Sequence, residues 1–276
     1  MIILDGKKIA EDILIDLTKK IAENPGRKPT LLTLSIGSNP ESFSYIQHQQ
    51  KQCNRIGMKS NHVSLPDNIS PLELKNTIKS FNDDVSIDGI ILQMPLPKNF
   101  EHLEVISWID QKKDVDGIHP INLGKLMQGK AAFVPATPLA VMHLLKSCCV
   151  SLKGKKALII GRSLIVGKPL SMLLLEADCT VTLAHSKTLD LTKESSQADI
   201  LIAAAGQAGL VKYDYIKKDA IVIDVGINFI NGKMVGDVAF DEVAPLASYI
   251  TPVPGGVGPI TTAMLLSNTW QAFLNH

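Results

Sequence analysis

From Lys155 onward the chain repeats one rhythm: a short β-branched, apolar run, a glycine or polar turn, then an apolar stripe at helical spacing. KKALIIG (155–161) reads as a strand, Val166 to Ala177 as a helix and TVTLAH (180–185) as a strand; ADILIAAAG (198–206) and AIVIDVGIN (220–228) are two further buried strands. Strands that alternate with helices pair in parallel through right-handed crossovers, so the rhythm predicts a doubly wound, Rossmann-like α/β sheet. The first half alternates as well. Ile9, Ile13, Leu14, Leu17 and Ile21 form a helical stripe, and TLLTLSIG (30–37) and IDGIILQ (87–93) read as strands. Ser38-Asn39-Pro40 turns the chain into a helix holding Tyr45, and SPLE (70–73) is a capping box with proline at the first helical position, opening a helix to about Phe81. Thr137-Pro138 reads as a cap opening a helix through Leu145. Two α/β domains are expected: residues 1–138, completed by a final helix at 259–276, and residues 139–258.

The totals narrow the classes of function. With 276 residues, 45% of them hydrophobic and a net charge of +1, the chain has no bulk electrostatic reason to bind nucleic acid or an anionic membrane. No apolar run reaches the ~18 residues of a membrane span. MIILDGKKIAEDILIDL lacks the basic start of a signal peptide, so a cytoplasmic protein is expected. Cys53, Cys148, Cys149 and Cys179 show no C-x-x-C spacing and no His-rich partner set, which predicts reduced thiols, no disulfide and no metal site.

GRSLIVGKP (161–169) follows a strand and opens a helix, where backbone amides can meet a pyrophosphate. It departs from G-x-G-x-x-G: Ser163 stands at the second glycine's place and Gly167 falls one residue late, so by itself it fits a structural turn as well as a phosphate turn. The next strand ends in His185-Ser186-Lys187-Thr188 without the carboxylate that holds a ribose 2′-hydroxyl. With Arg162 nearby, that end suits a 2′-phosphate and favours NADP over NAD; solvated surface cations are the other reading. Gln93 leaves an apolar strand at its carboxyl end, where open α/β sheets place ligand contacts. KDVDGIHP (113–120) sets Asp114 and Asp116 before a glycine turn, and TPVPGGVGP (251–259) joins stiff prolines to glycines that admit a ligand to bare backbone. Each stretch has a purely structural reading; their combination resists it.

DVDGIHPINLGKL, GRSLIVGKPLSMLL, HSKT, AIVIDVGIN, GDV (236–238) and TPVPGGVGPIT together closely resemble the methylenetetrahydrofolate dehydrogenase/methenyltetrahydrofolate cyclohydrolase family, over essentially the whole chain. The resemblance implies a homodimer of two-domain protomers with a cleft for tetrahydrofolate derivatives. It implies that methylenetetrahydrofolate is oxidised with NADP and the methenyl product then hydrolysed to formyltetrahydrofolate. It assigns Gly161, Arg162 and Ser163 to the cofactor's phosphates, Ser186 to the 2′-phosphate and the Ile227 backbone to the nicotinamide half. Asp116 would hold the pterin, Gln93 and Tyr45 would flank the reacting centre, and Ser42, Pro254, Gly255 and Gly256 would contact substrate. PATPLA (135–140) keeps the family's P-x-T-P but has Ala140 where glycine is usual.

One departure bears on chemistry. The family pattern is Y-[IV]-x-x-K-x-K with the first lysine catalytic, whereas SYIQHQQK (44–51) has Gln49 at that position. On a helix Gln49 lies about 40° around the axis from Tyr45, Lys51 about 240° and His48 about 300°, so neither cation stands where the lysine would. A dehydrogenase with weak or absent cyclohydrolase activity is therefore expected. The competing readings are a shikimate-type dehydrogenase, which would need a Lys/Asp pair in the first domain, and a pseudoenzyme that binds folate and NADP without turnover.

Overall fold

A computed structural model describes residues 1–37, 40–98, 100 and 102–275; the side chains of residues 40–42, 44, 102 and 103 lie outside that description. The chain opens with β1 (Ile2–Ile3), α1 (Gly6–Glu23), β2 (Thr30–Ile36), α2 (Pro40–Arg55), β3 (Lys59–Leu65), α3 (Pro71–Asp83) and β4 (Gly89–Leu92). It continues through α4 (His102–Ser107), α5 (Pro120–Leu126), α6 (Ala136–Ser147), β5 (Lys156–Ile160), α7 (Gly167–Glu176), β6 (Thr180–Ala184), α8 (Leu191–Ser195) and β7 (Ile200–Ala203). It closes with β8 (Ile221–Asp224), β9 (Asn228–Ile230), β10 (Lys233–Val235), α9 (Phe240–Val243), β11 (Tyr249–Ile250) and α10 (Val257–Leu274).

The chain divides into two compact units, residues 12–134 with 265–276 and residues 1–11 with 135–264. The boundary expected at 138/139 lies at 134/135, and the first eleven residues, expected in the first unit, belong to the second. Their place follows from β1, which pairs in parallel with β11 and so extends the second unit's sheet.

In the first unit three parallel strands lie in the order β3-β2-β4. Leu32, Leu34, Ile90 and Leu92 point to one face and join Leu74 and Ile78 of α3 in one core. Ser70 starts α3 as expected, its hydroxyl accepting from Glu73 N at 3.2 Å while the Glu73 carboxylate accepts from Ser70 N at 3.0 Å. The expected Thr137 cap is corrected: α6 begins at Ala136, Pro135 occupies the cap position, and no side chain caps it.

The second unit holds a six-stranded parallel sheet in the order β1-β11-β8-β7-β5-β6. Leu158, Ile160, Leu201, Ala203, Val222 and Ile250 fill its core. The run 220–228, expected as one strand, is broken: β8 ends at Asp224 and Asn228 starts the antiparallel hairpin β9-β10. No helix among the described residues is long and apolar enough to cross a membrane. The described cysteines are free thiols, and no described cluster of His, Cys, Asp or Glu could hold a metal.

Candidate functional site

In the second unit β6 lies on one side of β5 and β7 on the other, so the sheet changes direction between β5 and β7. Ligands of open α/β sheets bind outside the strands' carboxyl ends at such a point. Gly161 leaves β5 there with φ +130, and a Cβ on it would overlap the Ala204 carbonyl oxygen at the end of β7. A Cβ on Gly167 would overlap the Gly161 carbonyl oxygen, so the glycine that falls late in the motif is the one that lets α7 start against the strand. Between them Arg162, Ser163, Leu164 and Ile165 are exposed, and the Ser163 hydroxyl accepts from Val166 N at 3.1 Å. The loop thus presents a guanidinium and a hydroxyl above the positive end of a helix.

After β6 the chain turns tightly. His185 Nδ1 accepts from Lys187 N at 3.1 Å and Thr188 Oγ1 from His185 N at 2.9 Å, leaving Ser186 and Lys187 exposed. The first carboxylate past the strand, Asp190, caps α8 by accepting from Lys193 N at 3.1 Å.

Ile227 is 57% exposed just beyond β8. In the glycine loop the Val253–Pro254 peptide is cis and Gly255 has φ +108. A Cβ on Gly256 would lie 2.6 Å from the Pro252 carbonyl oxygen, and one on Gly6 would overlap the Gly256 carbonyl oxygen. At Gly6 and Gly256 the chain is packed so closely that a Cβ has no room.

The first unit carries the other expected residues. Gln49 is 1% exposed, and its Oε1 accepts from Thr33 Oγ1 at 2.7 Å, tying α2 to β2. Its Nε2 is one of two buried side-chain polar atoms without a partner among the described residues, the other being Ser60 Oγ. Tyr45, one turn earlier, is 39% exposed, and His48 and Lys51 are exposed as well. Ser42 lies in α2, and its side chain is outside the described residues.

Gln93 continues the sheet, its N–H donating to Leu34 O at 2.8 Å, while its Nε2 donates to Met94 O at 3.0 Å. Thr33 pairs in register with Ile91, so strand alternation puts Gln93 on the face that also carries Thr33 and Gln49.

The DVDG segment runs beside β4: Ile90 N donates to Lys113 O at 2.7 Å, and Gly89 has no Cβ to meet Val115. Asn268 of α10 fixes it by donating to Val115 O at 2.8 Å and Val134 O at 3.1 Å. The two carboxylates here have different work. Asp114 is buried and structural, accepting from His119 N at 2.8 Å and Asn122 Nδ2 at 2.7 Å. Asp116 accepts no hydrogen bond among the described residues. A little of it reaches the surface, yet the protein packed around it dominates: burial first, and the Asp114 charge second, push its carboxyl up to about 7.

Residues not singled out from the sequence are Thr33, Asn268, Asp224 and Asp237. Thr33 and Asp224 sit inside apolar runs that read as strand, and only tertiary contacts reveal them. Asp237 stood in the GDV motif without an assigned role.

The family model "Tetrahydrofolate dehydrogenase/cyclohydrolase, catalytic domain" matches residues 4–116, and "Tetrahydrofolate dehydrogenase/cyclohydrolase, NAD(P)-binding domain" matches residues 135–276. The chain is 47% identical over 273 residues to the bifunctional protein FolD of Listeria innocua, covering 98% of this chain and 96% of that one. Among solved structures, the bifunctional FolD methylenetetrahydrofolate dehydrogenase/cyclohydrolase of Campylobacter jejuni superposes with TM-score 0.97 at 45% identity, covering 100% and 99% of the two chains. The Trypanosoma brucei methylenetetrahydrofolate dehydrogenase-cyclohydrolase, complexed with NADP and an inhibitor, gives 0.94 at 37% identity, covering 100% and 98%.

Proposed function

Because the chain belongs to the tetrahydrofolate dehydrogenase/cyclohydrolase family, we propose that it oxidises methylenetetrahydrofolate with NADP but hydrolyses the methenyl product weakly or not at all. The observation that carries this is Gln49: a neutral carboxamide, buried, with its oxygen held by Thr33.

The second unit fits NADP. Its glycine turn admits backbone where a side chain would collide, a helix opens behind that turn, and the first carboxylate after β6 caps α8. Bound there, NADP supplies the hydride acceptor. Arg162, Ser163, Gly161 and the amides of α7 would hold its phosphates, Ser186 with Lys187 its 2′-phosphate, and the Ile227 backbone its nicotinamide half.

The first unit is assigned the folate. Asp116 as a carboxylate only accepts, which matches the amino and ring N–H groups of a pterin. Tyr45 and Gln93 flank the reacting carbon, and Ser42 is assigned to the substrate. Hydride leaves the methylene carbon as the adjoining nitrogen's lone pair moves in, so this step needs alignment and no proton carrier. Hydrolysis is different: water adds to the methenyl carbon and a proton must be taken away. A carboxamide does not take it up at neutral pH, and losing a general acid/base costs typically 10²–10⁴-fold.

A cytoplasmic homodimer completes the reading; sedimentation should then give a particle of 2 × 29.9 kDa. The direct test follows NADPH appearing from methylenetetrahydrofolate. Steady production supports the dehydrogenase. Binding of both ligands without any NADPH would establish the pseudoenzyme instead.

A further inference from the structure

Two buried carboxylates at the carboxyl edge of the six-stranded sheet take no part in the chemistry above. Asp224, 3% exposed, ends β8, and Asp237, fully buried, follows β10. Asp224 Oδ1 accepts from Gly226 N and Asp237 N, both at 3.0 Å, and its Oδ2 from Val238 N at 2.9 Å. Asp237 Oδ2 accepts from Ala205 N at 2.7 Å and Gly206 N at 2.9 Å, and its Oδ1 from Asn228 Nδ2 at 2.9 Å. Among the described residues neither forms an ion pair with a cation. Both are held by N–H dipoles alone.

The surrounding sequence is shaped to this pair. A Cβ on Gly226 would overlap the Asp237 carboxylate, and one on Gly236 would overlap the Asp224 carboxylate. The backbone donors come from three loops: the one leaving β7, the one leaving β8 that carries Ile227, and the strand return after β10. Thr251 adds the glycine-rich loop, its hydroxyl accepting from Asp224 N at 2.7 Å.

We propose that Asp224 and Asp237 are positioning residues that lock the backbone at Ile227 where the nicotinamide half of the cofactor docks. This rests on the NADP reading above. A buried carboxylate is suited to the task because both oxygens accept, so one side chain can pin several loop amides that would otherwise stay unpaired.

The two sites differ in a way that can be tested. All three donors to Asp224 are backbone N–H groups spread over both oxygens, so Asp224→Asn turns an NH₂ against an N–H that cannot reverse. At Asp237 both backbone donors share Oδ2, and the third is the Asn228 carboxamide. Asp237→Asn can keep its oxygen on the backbone pair, while Asn228 rotates to present its own oxygen to the new NH₂.

The experiment measures calorimetric affinity of the full-length protein for 2′,5′-ADP, which carries only the adenosine half, and for NADPH. The 2′,5′-ADP affinity should stay within about twofold in every variant, while Asp224→Asn weakens NADPH at least about tenfold. Asp237→Asn should remain within about threefold for NADPH, and the double variant Asp237→Asn/Asn228→Ala should fall to the Asp224→Asn level. The last pair keeps the test available if Asp224→Asn does not fold. Equal weakening of both ligands, unchanged NADPH binding in Asp224→Asn, or no difference between Asp237→Asn and the double variant overturns the proposal. If the unmodified protein prefers ADP and NADH, the NADP reading fails, and the positioning claim is decided by the same comparison on that pair.

Discussion

A carboxamide at position 49 differs from an ammonium in charge, reach and partners. Gln49 stops at Thr33, 2.7 Å away inside the first unit, and carries no titratable proton. Gln49→Lys restores a longer, titratable side chain, and the Thr33 hydroxyl can turn to accept from it. Methenyltetrahydrofolate hydrolysis should then rise by about 10²–10⁴-fold while NADPH production changes little; a stopped-flow record of both rates checks it. Asp116 gives a second prediction. With its carboxyl raised to about 7, the acceptor form proposed to hold the pterin is lost as pH falls, so KM for methylenetetrahydrofolate should climb from pH 8 to pH 6. Asp116→Asn should give a high KM that no longer depends on pH over that range. The departure at position 49 was legible in the sequence, because one residue breaks an otherwise intact motif. Its bond to Thr33 was not, since Thr33 lies sixteen residues away in a strand that reads as wholly apolar core. Asp224 and Asp237 escaped because their partners, apart from the Asn228 carboxamide, are backbone amides, which every sequence has.

Among the elements, those with a strong local signal were legible and those shaped by tertiary contact were not. The capping box at Ser70 is written in four consecutive residues, and α3 starts where it says. Ser70→Ala should therefore cost about 1 kcal/mol and lower the melting temperature by roughly 2–4 °C, read by calorimetry. Strand β3, KSNHVSL, has no apolar run because it lies at a sheet edge with much of its length toward solvent; its pairing with β2 comes from the crossover rather than its composition. At Thr137 the pattern misled, since Pro135 fixes the entry to α6 two residues earlier without a side-chain cap. The break in 220–228 comes from Asp224 drawing Gly226 N inward, a contact closed by Asp237 thirteen residues on.

At the scale of the molecule, function and stability pull apart. Burial raises Asp116 to about 7 and Asp224 to about 6, from the ordinary 3.8. Folded, these two groups hold protons that the unfolded chain has released, so the stability they contribute is lost as pH rises from about 4 to about 7. Asp116 accepts no hydrogen bond among the described residues, so Asp116→Asn removes a buried charge without removing a bond. Its melting temperature should exceed that of the unmodified protein at pH 8, with little difference at pH 5; a gain equal at both pH values would contradict the assignment. The two α/β units and the cofactor half were legible because the strand-helix rhythm is regular, while the division at residue 11 was set by the pairing of β1 with β11. The central claim is that oxidation survives where water activation has lost its ammonium. One preparation should be given methylenetetrahydrofolate with NADP and, separately, methenyltetrahydrofolate alone, and the two initial rates compared. Oxidation at an ordinary enzymatic rate, about 1–10³ s⁻¹, with hydrolysis barely above the buffer rate, is the predicted result; enzyme-dependent hydrolysis as fast as oxidation would contradict it.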